Sequence, residues 1–338
     1  MNRKSTTTRL SSVDILRGLA VLFMVEAHIA IIIPFFSDLA VTFAAPAFLL
    51  VAGLSFQLFL RNRESRGSST RDIFREVFWR AMTLFFLTSL ITWTANLVGW
   101  GGSVFSNIFF IISTGFLVGF LLRRSFRGQI LAVILILVLD LVIRAYQVQA
   151  LAFLAGDVQG LQVSILPYLC FFFFGQIASK AYKQDNFNRY DNQVLLFYGL
   201  LFFMLNLAVY LAFPYPLVGE LRGYTPLLLM VASLLLLLAL VLVRVVELDG
   251  GLRRWLRPLE NLGRISFTSY YLTYISFLVL GSFQFSSAVA VNLLLFMGTS
   301  LGLVVLERLW RPYYRYGLEW AYRKISATAL AYTRNRWP

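Results

Sequence analysis

A single cysteine, Cys170, and a single histidine, His28, occur in the 338 residues. One cysteine excludes a disulfide within the chain, and a lone thiol in an apolar run gives no basis for a metal–thiolate site. No metal is therefore expected. Charge is scarce as well: Asp, Glu, Lys and Arg together make up 14% of the chain, with 16 acidic residues against 30 basic ones. No Walker loop, zincin motif, Gly-x-Ser-x-Gly elbow or Cys/His metal spacing is present, and the chemistries those motifs carry lose their support. Internal repeats, low-complexity segments and a separate soluble domain are also missing.

What fills the chain is apolar: 59% hydrophobic and 16% aromatic residues, with a mean hydropathy of +0.74. Soluble domains do not have this composition. The sequence predicts an all-α polytopic membrane helix bundle of about ten spans, each needing about 20 apolar residues. The segments lie near 13–36, 39–60, 76–99, 104–122, 128–147, 161–179, 193–213, 225–246, 263–281 and 286–307. Cytoplasmic loops carry an excess of Lys and Arg. With the N-terminus placed in the cytoplasm, Arg144 and Arg222 are the only basic residues among the 30 left on the outer side. Both termini then lie inside. The net charge of +14 is explained by these loops, and nucleic acid is not an expected partner. The first apolar run, from Ile15 to Phe36, is too long for a signal-peptide core and reads as a retained span of a multi-pass inner (plasma) membrane protein. The bundle takes residues 1–310. The segment 311–338, rich in aromatics and bases, reads as a cytoplasmic amphipathic helix in the headgroup region.

The stretch Arg9 to His28 organises the rest. At about 100° per residue, Asp14, Arg17, Val21, Met24 and His28 fall on one helix stripe. Eleven residues separate Arg17 from His28, roughly 16 Å along the axis. Glu26 and His28 stand inside an apolar run, where ionisable side chains are costly and mark functional sites. Three roles remain open for His28: a hydrogen-bonded structural group, a proton relay, or a general base and acyl carrier. Asp14 and Arg17 are spaced as an ion pair, and so are Asp140 and Arg144. Arg80 lies several residues inside the third span and requires an anionic partner, either a carboxylate or a phosphate.

Arg9–His28, followed by Phe43-Ala-Ala-Pro-Ala-Phe-Leu-Leu-Val-Ala-Gly-Leu-Ser55, resembles the opening of transmembrane acyltransferases. Within that superfamily it resembles the bacterial relatives of heparan-α-glucosaminide N-acetyltransferase. Phe78-Trp-Arg80, Leu166-Pro-Tyr-Leu-Cys-Phe-Phe-Phe-Phe-Gly175 and Gly263-Arg-Ile-Ser-Phe-Thr-Ser-Tyr270 resemble later motifs of the same superfamily. Tyr316-Gly-Leu-Glu-Trp320 resembles a Gly-Pro-Leu-Glu-Trp tail, here without the proline.

The resemblance implies an acyl-CoA-dependent membrane acyltransferase. Acetyl-CoA or another acyl-CoA would be the co-substrate, and a small molecule, glycan or lipid head group would supply the accepting hydroxyl or amine. It implies catalytic roles for His28, Asp14 and Glu26. Donor binding would fall to Arg17, Arg80, Arg264, Ser266 and Tyr270, and acceptor contacts to Asp38 and Ser55. Membrane lipids are the surrounding partners, and a homodimer is compatible with the sequence. The competing class is a proton-coupled secondary transporter or lipid flippase, which the same intramembrane His, Glu and Asp would serve.

Overall fold

The computed structural model of the chain describes residues 10–29, 34–97, 107–146, 154, 165–181, 189–212, 224–280, 289–310 and 317–336. Among these residues every regular element is helical and no strand occurs. The helices are α1 (Ser11–Ile29), α2 (Pro34–Ser65), α3 (Thr70–Leu97), α4 (Ile108–Leu121), α5 (Phe126–Ala145) and α6 (Ile165–Ala181). They are followed by α7 (Arg189–Ala212), α8 (Tyr224–Leu242), α9 (Arg257–Arg264), α10 (Ser266–Leu280), α11 (Val289–Trp310) and α12 (Leu318–Arg336).

Each of the ten expected segments overlaps a helix, but the boundaries moved where local chemistry is specific. The first segment was expected to reach residue 36, whereas α1 ends at Ile29 and α2 starts at Pro34. Proline has no N–H to lose and a preset φ, so it suits the first helical position. At 32 residues, α2 is about 48 Å long, more than a hydrocarbon core requires. Its last turns, from Arg61 onward, are polar accordingly. The ninth segment is interrupted: α9 stops at Arg264 and α10 starts at Ser266.

Four helical stretches are long and apolar enough to cross a membrane by length and composition, among the described residues: Phe43–Ser65, Thr70–Thr94, Arg189–Val209 and Leu229–Leu248. Ile108–Leu121 and Ile165–Ser179 are shorter apolar helices. On α5, Leu131, Ile134, Leu135 and Val138 are exposed, and on α7 so are Tyr198, Leu201 and Leu205. Residues at these three- and four-residue steps share one helix face. Apolar faces of this extent fit lipid better than water.

Two helices carry the core. α6 packs against α2, α4, α5 and α8, and α1 packs against α2, α8, α9, α10 and α11. Phe171, Phe172 and Phe173 of α6 are fully buried. Phe172 meets Phe56 and Phe116 at ring-centroid distances of 5.7 and 6.0 Å, and the latter two stack at 4.8 Å. The close crossing of α2 and α6 depends on two glycines facing opposite backbones. A Cβ on Gly53 would lie 2.8 Å from the Phe172 carbonyl carbon, and one on Gly175 would lie 2.8 Å from the Leu54 nitrogen. In lipid, where water does not drive helices together, such small-residue contacts are a main source of association.

The charged helix ends gather on one end of the bundle. Arg63 at the end of α2 pairs with Glu76 at the start of α3 (2.8 Å), and Arg123 beyond α4 reaches Glu64 (3.5 Å). Arg189, which opens α7, and Arg244, near the end of the α8 rod, both bind Asp249 (2.9 and 3.1 Å). Beneath this layer, buried Gln57, Gln129 and Gln176 bond to one another and to the carbonyls of Gly119 and Arg123 at 3.4–3.5 Å. Carbonyls at the end of α4 thereby gain partners they cannot find within the helix.

Candidate functional site

The site starts where α1 enters the bundle. Its first N–H groups have no partners within the helix, and carboxylates from distant elements supply them. The Ser12 N–H and hydroxyl both donate to Glu247 Oε1, at 2.8 and 3.1 Å. Glu247 lies in the π-helical turn Val243–Leu248 that continues α8. The Ser11 hydroxyl donates to Glu260 Oε1 at 3.1 Å, and Glu260 also binds Arg264 at 2.5 Å. Negative charge at a helix N-terminus is favoured by the macrodipole. The backbones of α1 and α9 touch directly, because a Cβ on Gly18 would sit 2.9 Å from the Leu259 carbonyl carbon and one on Gly263 would sit 2.6 Å from that of Asp14.

From this anchored end, α1 projects Asp14 and Arg17. Asp14 is buried, and its Oδ1 accepts from Arg17 Nη1 at 2.7 Å. The other arm of the guanidinium donates to the Ser55 hydroxyl on α2, which itself donates to the Val51 carbonyl at 2.6 Å. The expected Asp14–Arg17 pair is present, and Ser55 joins it.

Ser55 is one rung of a longer row. Ser55, Phe59 and Arg63 follow at four-residue steps on α2, each about 6 Å along the axis. Arg17 meets the first rung. Arg80 of α3 lies 4.0 Å above the Phe59 ring, and Arg63 lies 5.7 Å from the same ring. Glu76 bridges Arg63 and Arg80 at 2.8 Å each. Three guanidinium groups therefore line roughly 12 Å of one α2 face. The anionic partner that Arg80 required is, in this structure, the carboxylate one turn before it. Replacing Glu76 with alanine is expected to cost about 2 kcal/mol, since two partly buried cations lose a charged acceptor. A melting curve of the purified variant checks this.

The third side of the site comes from α9 and α10. Arg264 ends α9 beside Glu260, and Ser266 opens α10. Tyr270, one turn further on, has ring-centroid distances of 6.1 Å to Phe48 and 4.6 Å to Phe109.

Arg17 and Ser55 are thus in contact, and Arg80 joins them through Phe59. Ser266, Arg264 and Tyr270 lie on the elements packed against α1. Glu26 lies three turns deeper in α1, and its Oε2 is buried without a hydrogen-bond partner among the described residues. The backbone of His28 is in α1 and that of Asp38 in α2, while both side chains lie outside the described residues. Asp140 is buried, and the side chain of its expected partner Arg144 also lies outside them. Among the described residues no group of three His, Cys, Asp or Glu side chains is arranged to hold a metal ion.

Three carboxylates of the site were not assigned from sequence: Glu76, Glu247 and Glu260. Glu76 and Glu260 had a signal, since each stands four residues before an arginine, the favourable orientation on a helix. Glu247 had none.

A comparison with curated proteins gives no match. Residues 9–215, more than half of the chain, match the family described as heparan-alpha-glucosaminide N-acetyltransferase, catalytic. The matched region contains the Asp14–Arg17–Ser55 cluster and the Phe59–Glu76–Arg80 row, and it stops before Glu247, Glu260 and α10, which complete the same site. On the strength of that match, the chain belongs to the heparan-alpha-glucosaminide N-acetyltransferase catalytic family, a family of membrane acetyltransferases.

Proposed function

We propose that this protein is a ten-span plasma-membrane acyltransferase with both termini in the cytoplasm. It moves an acetyl group from cytoplasmic acetyl-CoA to a hydroxyl or amine of a sugar, glycan or lipid head group. The observation that carries this reading is the family match over residues 9–215, joined to the row of Arg17, Arg63 and Arg80 along one face of α2. Planar guanidinium groups bind phosphate through paired N–H donors. The CoA phosphates would be held at the charged end of the bundle, with the thioester directed along α1.

In this reading His28 carries the chemistry. Its imidazole takes the proton of the acceptor as the acceptor attacks the thioester carbonyl. The C–S bond breaks, the new C–O or C–N bond forms, and the proton leaves with the CoA thiolate as free thiol. In the variant route the imidazole attacks first and the acetyl group rests on it before transfer. Hydroxylamine capture of an acetylated protein separates the two routes. Asp14 holds Arg17. The Glu26 oxygen that is buried without a hydrogen-bond partner among the described residues would meet a substrate hydroxyl, and Asp38 and Ser55 would complete the acceptor contacts.

The deciding measurement is thiol release from acetyl-CoA by the detergent-purified protein, with and without candidate acceptors. Cys170, the one cysteine of the chain, is buried, so a thiol reagent reads CoA with little protein background. Acceptor-stimulated release supports the proposal. Substrate accumulation in proteoliposomes without CoA, and no release, would make the protein a transporter instead.

Arg17 separates binding from chemistry. Arg17→Ala is expected to weaken acetyl-CoA binding roughly ten- to a hundred-fold through lost charge-assisted bonds, with a smaller fall in kcat. Lysine should restore part of the affinity, because an ammonium lacks the bidentate fork. Calorimetric titration of CoA is the check. Unchanged affinity with a lowered melting temperature would leave Arg17 as the structural partner of Asp14 and Ser55.

A further inference from the structure

The C-terminal helix α12 lies beyond the matched region, yet it reaches both sides of the site. Its expected role was a helix resting in the headgroup layer. In the structure it packs on α3 and α10, and it does so with a polar face. Glu319, Tyr322 and Ser326, spaced three and four residues apart, form that face.

Glu319 caps α10. Its Oε1 accepts the Phe267 and Thr268 N–H groups at 2.7 and 3.0 Å, and its Oε2 accepts the Thr268 hydroxyl. The two N–H groups belong to the first turn of a helix, where backbone donors have no acceptor within the helix. The capped turn is the one that carries Ser266, two residues after Arg264 and one turn before Tyr270.

Tyr322 packs on the same turn, with its ring 6.2 Å from that of Phe267. Removal from water pushes the Tyr322 phenol up, and Arg80 and Glu76 are near enough to act on it electrostatically, Arg80 in the opposite direction. Ser326 then reaches α3 itself: its hydroxyl is 3.2 Å from that of Thr83, both residues being buried. Thr83 lies three residues after Arg80, on the next turn of α3. One face of α12 therefore ties the Arg80 turn of α3 to the Ser266 turn of α10.

We propose that α12 is a working part of the acyl-donor site and that Glu319 is its positioning residue, fixing the Ser266–Tyr270 turn relative to Arg80. This rests on the acyl-CoA reading above. A helix that only anchored the chain would affect stability alone, whereas a positioning element changes donor KM while the chemistry at depth proceeds. Glu319→Gln keeps the length and one acceptor oxygen but removes the charge and the second carboxylate oxygen.

The experiment uses the full-length protein in detergent, with acetyl-CoA as donor and released thiol as readout. Amide hydrogen exchange at Phe267 and Thr268 shows whether the cap has loosened. The expected result for Glu319→Gln is faster exchange at those amides and a KM for acetyl-CoA raised about ten-fold, with kcat within about two-fold. Faster exchange with a wild-type KM would overturn the role of α12 and leave the acyltransferase reading standing. A wild-type protein that releases no thiol would overturn that reading and this one with it. Should Glu319→Gln fail to fold, Tyr322→Phe decides, because it keeps the ring packed on Phe267 and removes only the hydroxyl that Arg80 and Glu76 act on electrostatically. A KM raised about three-fold supports the proposal, and an unchanged KM overturns it.

Discussion

Alanine in place of His28 is expected to lower acceptor-dependent thiol release by roughly 10²- to 10⁴-fold, the usual contribution of a positioned general base. Membrane insertion, expression and the melting profile should stay close to wild type. The argument begins with the helix. Asp14, Val21 and Met24 of the α1 stripe are all buried, and α1 is enclosed by α2, α8, α9, α10 and α11. His28 is the next position of the same stripe, about 16 Å along the axis from Arg17. No other histidine in the chain is available to take over its proton. Glutamine at this position, which keeps polarity without a titrating ring, should be as inactive as alanine. Full turnover of either variant, measured with saturating acetyl-CoA and acceptor, would return His28 to a structural role.

Much of the fold was legible in the sequence because it is local. Apolar run length marked the helices, and Lys/Arg clustering marked which helix ends would gather. The structure brings those ends together through Arg63–Glu76, Arg123–Glu64 and Arg244–Asp249. Asp14 and Arg17 were spaced as a pair and form one. What stayed hidden is the set of contacts whose partners are far apart in the chain. Glu247 and Glu260 reach Ser12 and Ser11 across 235 and 249 residues, and Glu319 reaches α10 across about fifty. A carboxylate in a basic loop carries no periodic signal saying which helix end it will cap. Its role is set by packing, and here that packing is fixed by glycines.

Gly263→Ala tests that packing, and it is expected to be the most damaging glycine-to-alanine change among the described residues. A Cβ there would overlap the Asp14 carbonyl oxygen, with the carbonyl carbon at 2.6 Å and the Gly18 nitrogen at 3.0 Å. The obstacle is helix backbone on both sides, so no rotamer change relieves it. α1 and α9 must separate by about an ångström or more, and overpacking of a tight core typically costs 1–3 kcal/mol, at times more. The separation also acts on polar contacts: it pulls Glu260 from Ser11 and moves Asp14, and with it Arg17, relative to Ser55. Buried groups that lose partners add about 1–3 kcal/mol each. The sum approaches the whole stability of a typical domain. The expected outcome is little monodisperse protein in detergent, read by size-exclusion chromatography, and a strongly lowered melting temperature in what remains. Gly298→Ala in α11 is the control, because a Cβ there meets nothing within 4 Å, and it should behave as wild type. The glycines beside Arg17 and Arg264 thus hold the two arginines in place by letting the backbones touch. A Gly263→Ala protein that melts within a few degrees of wild type would mean that α1 and α9 do not depend on this contact.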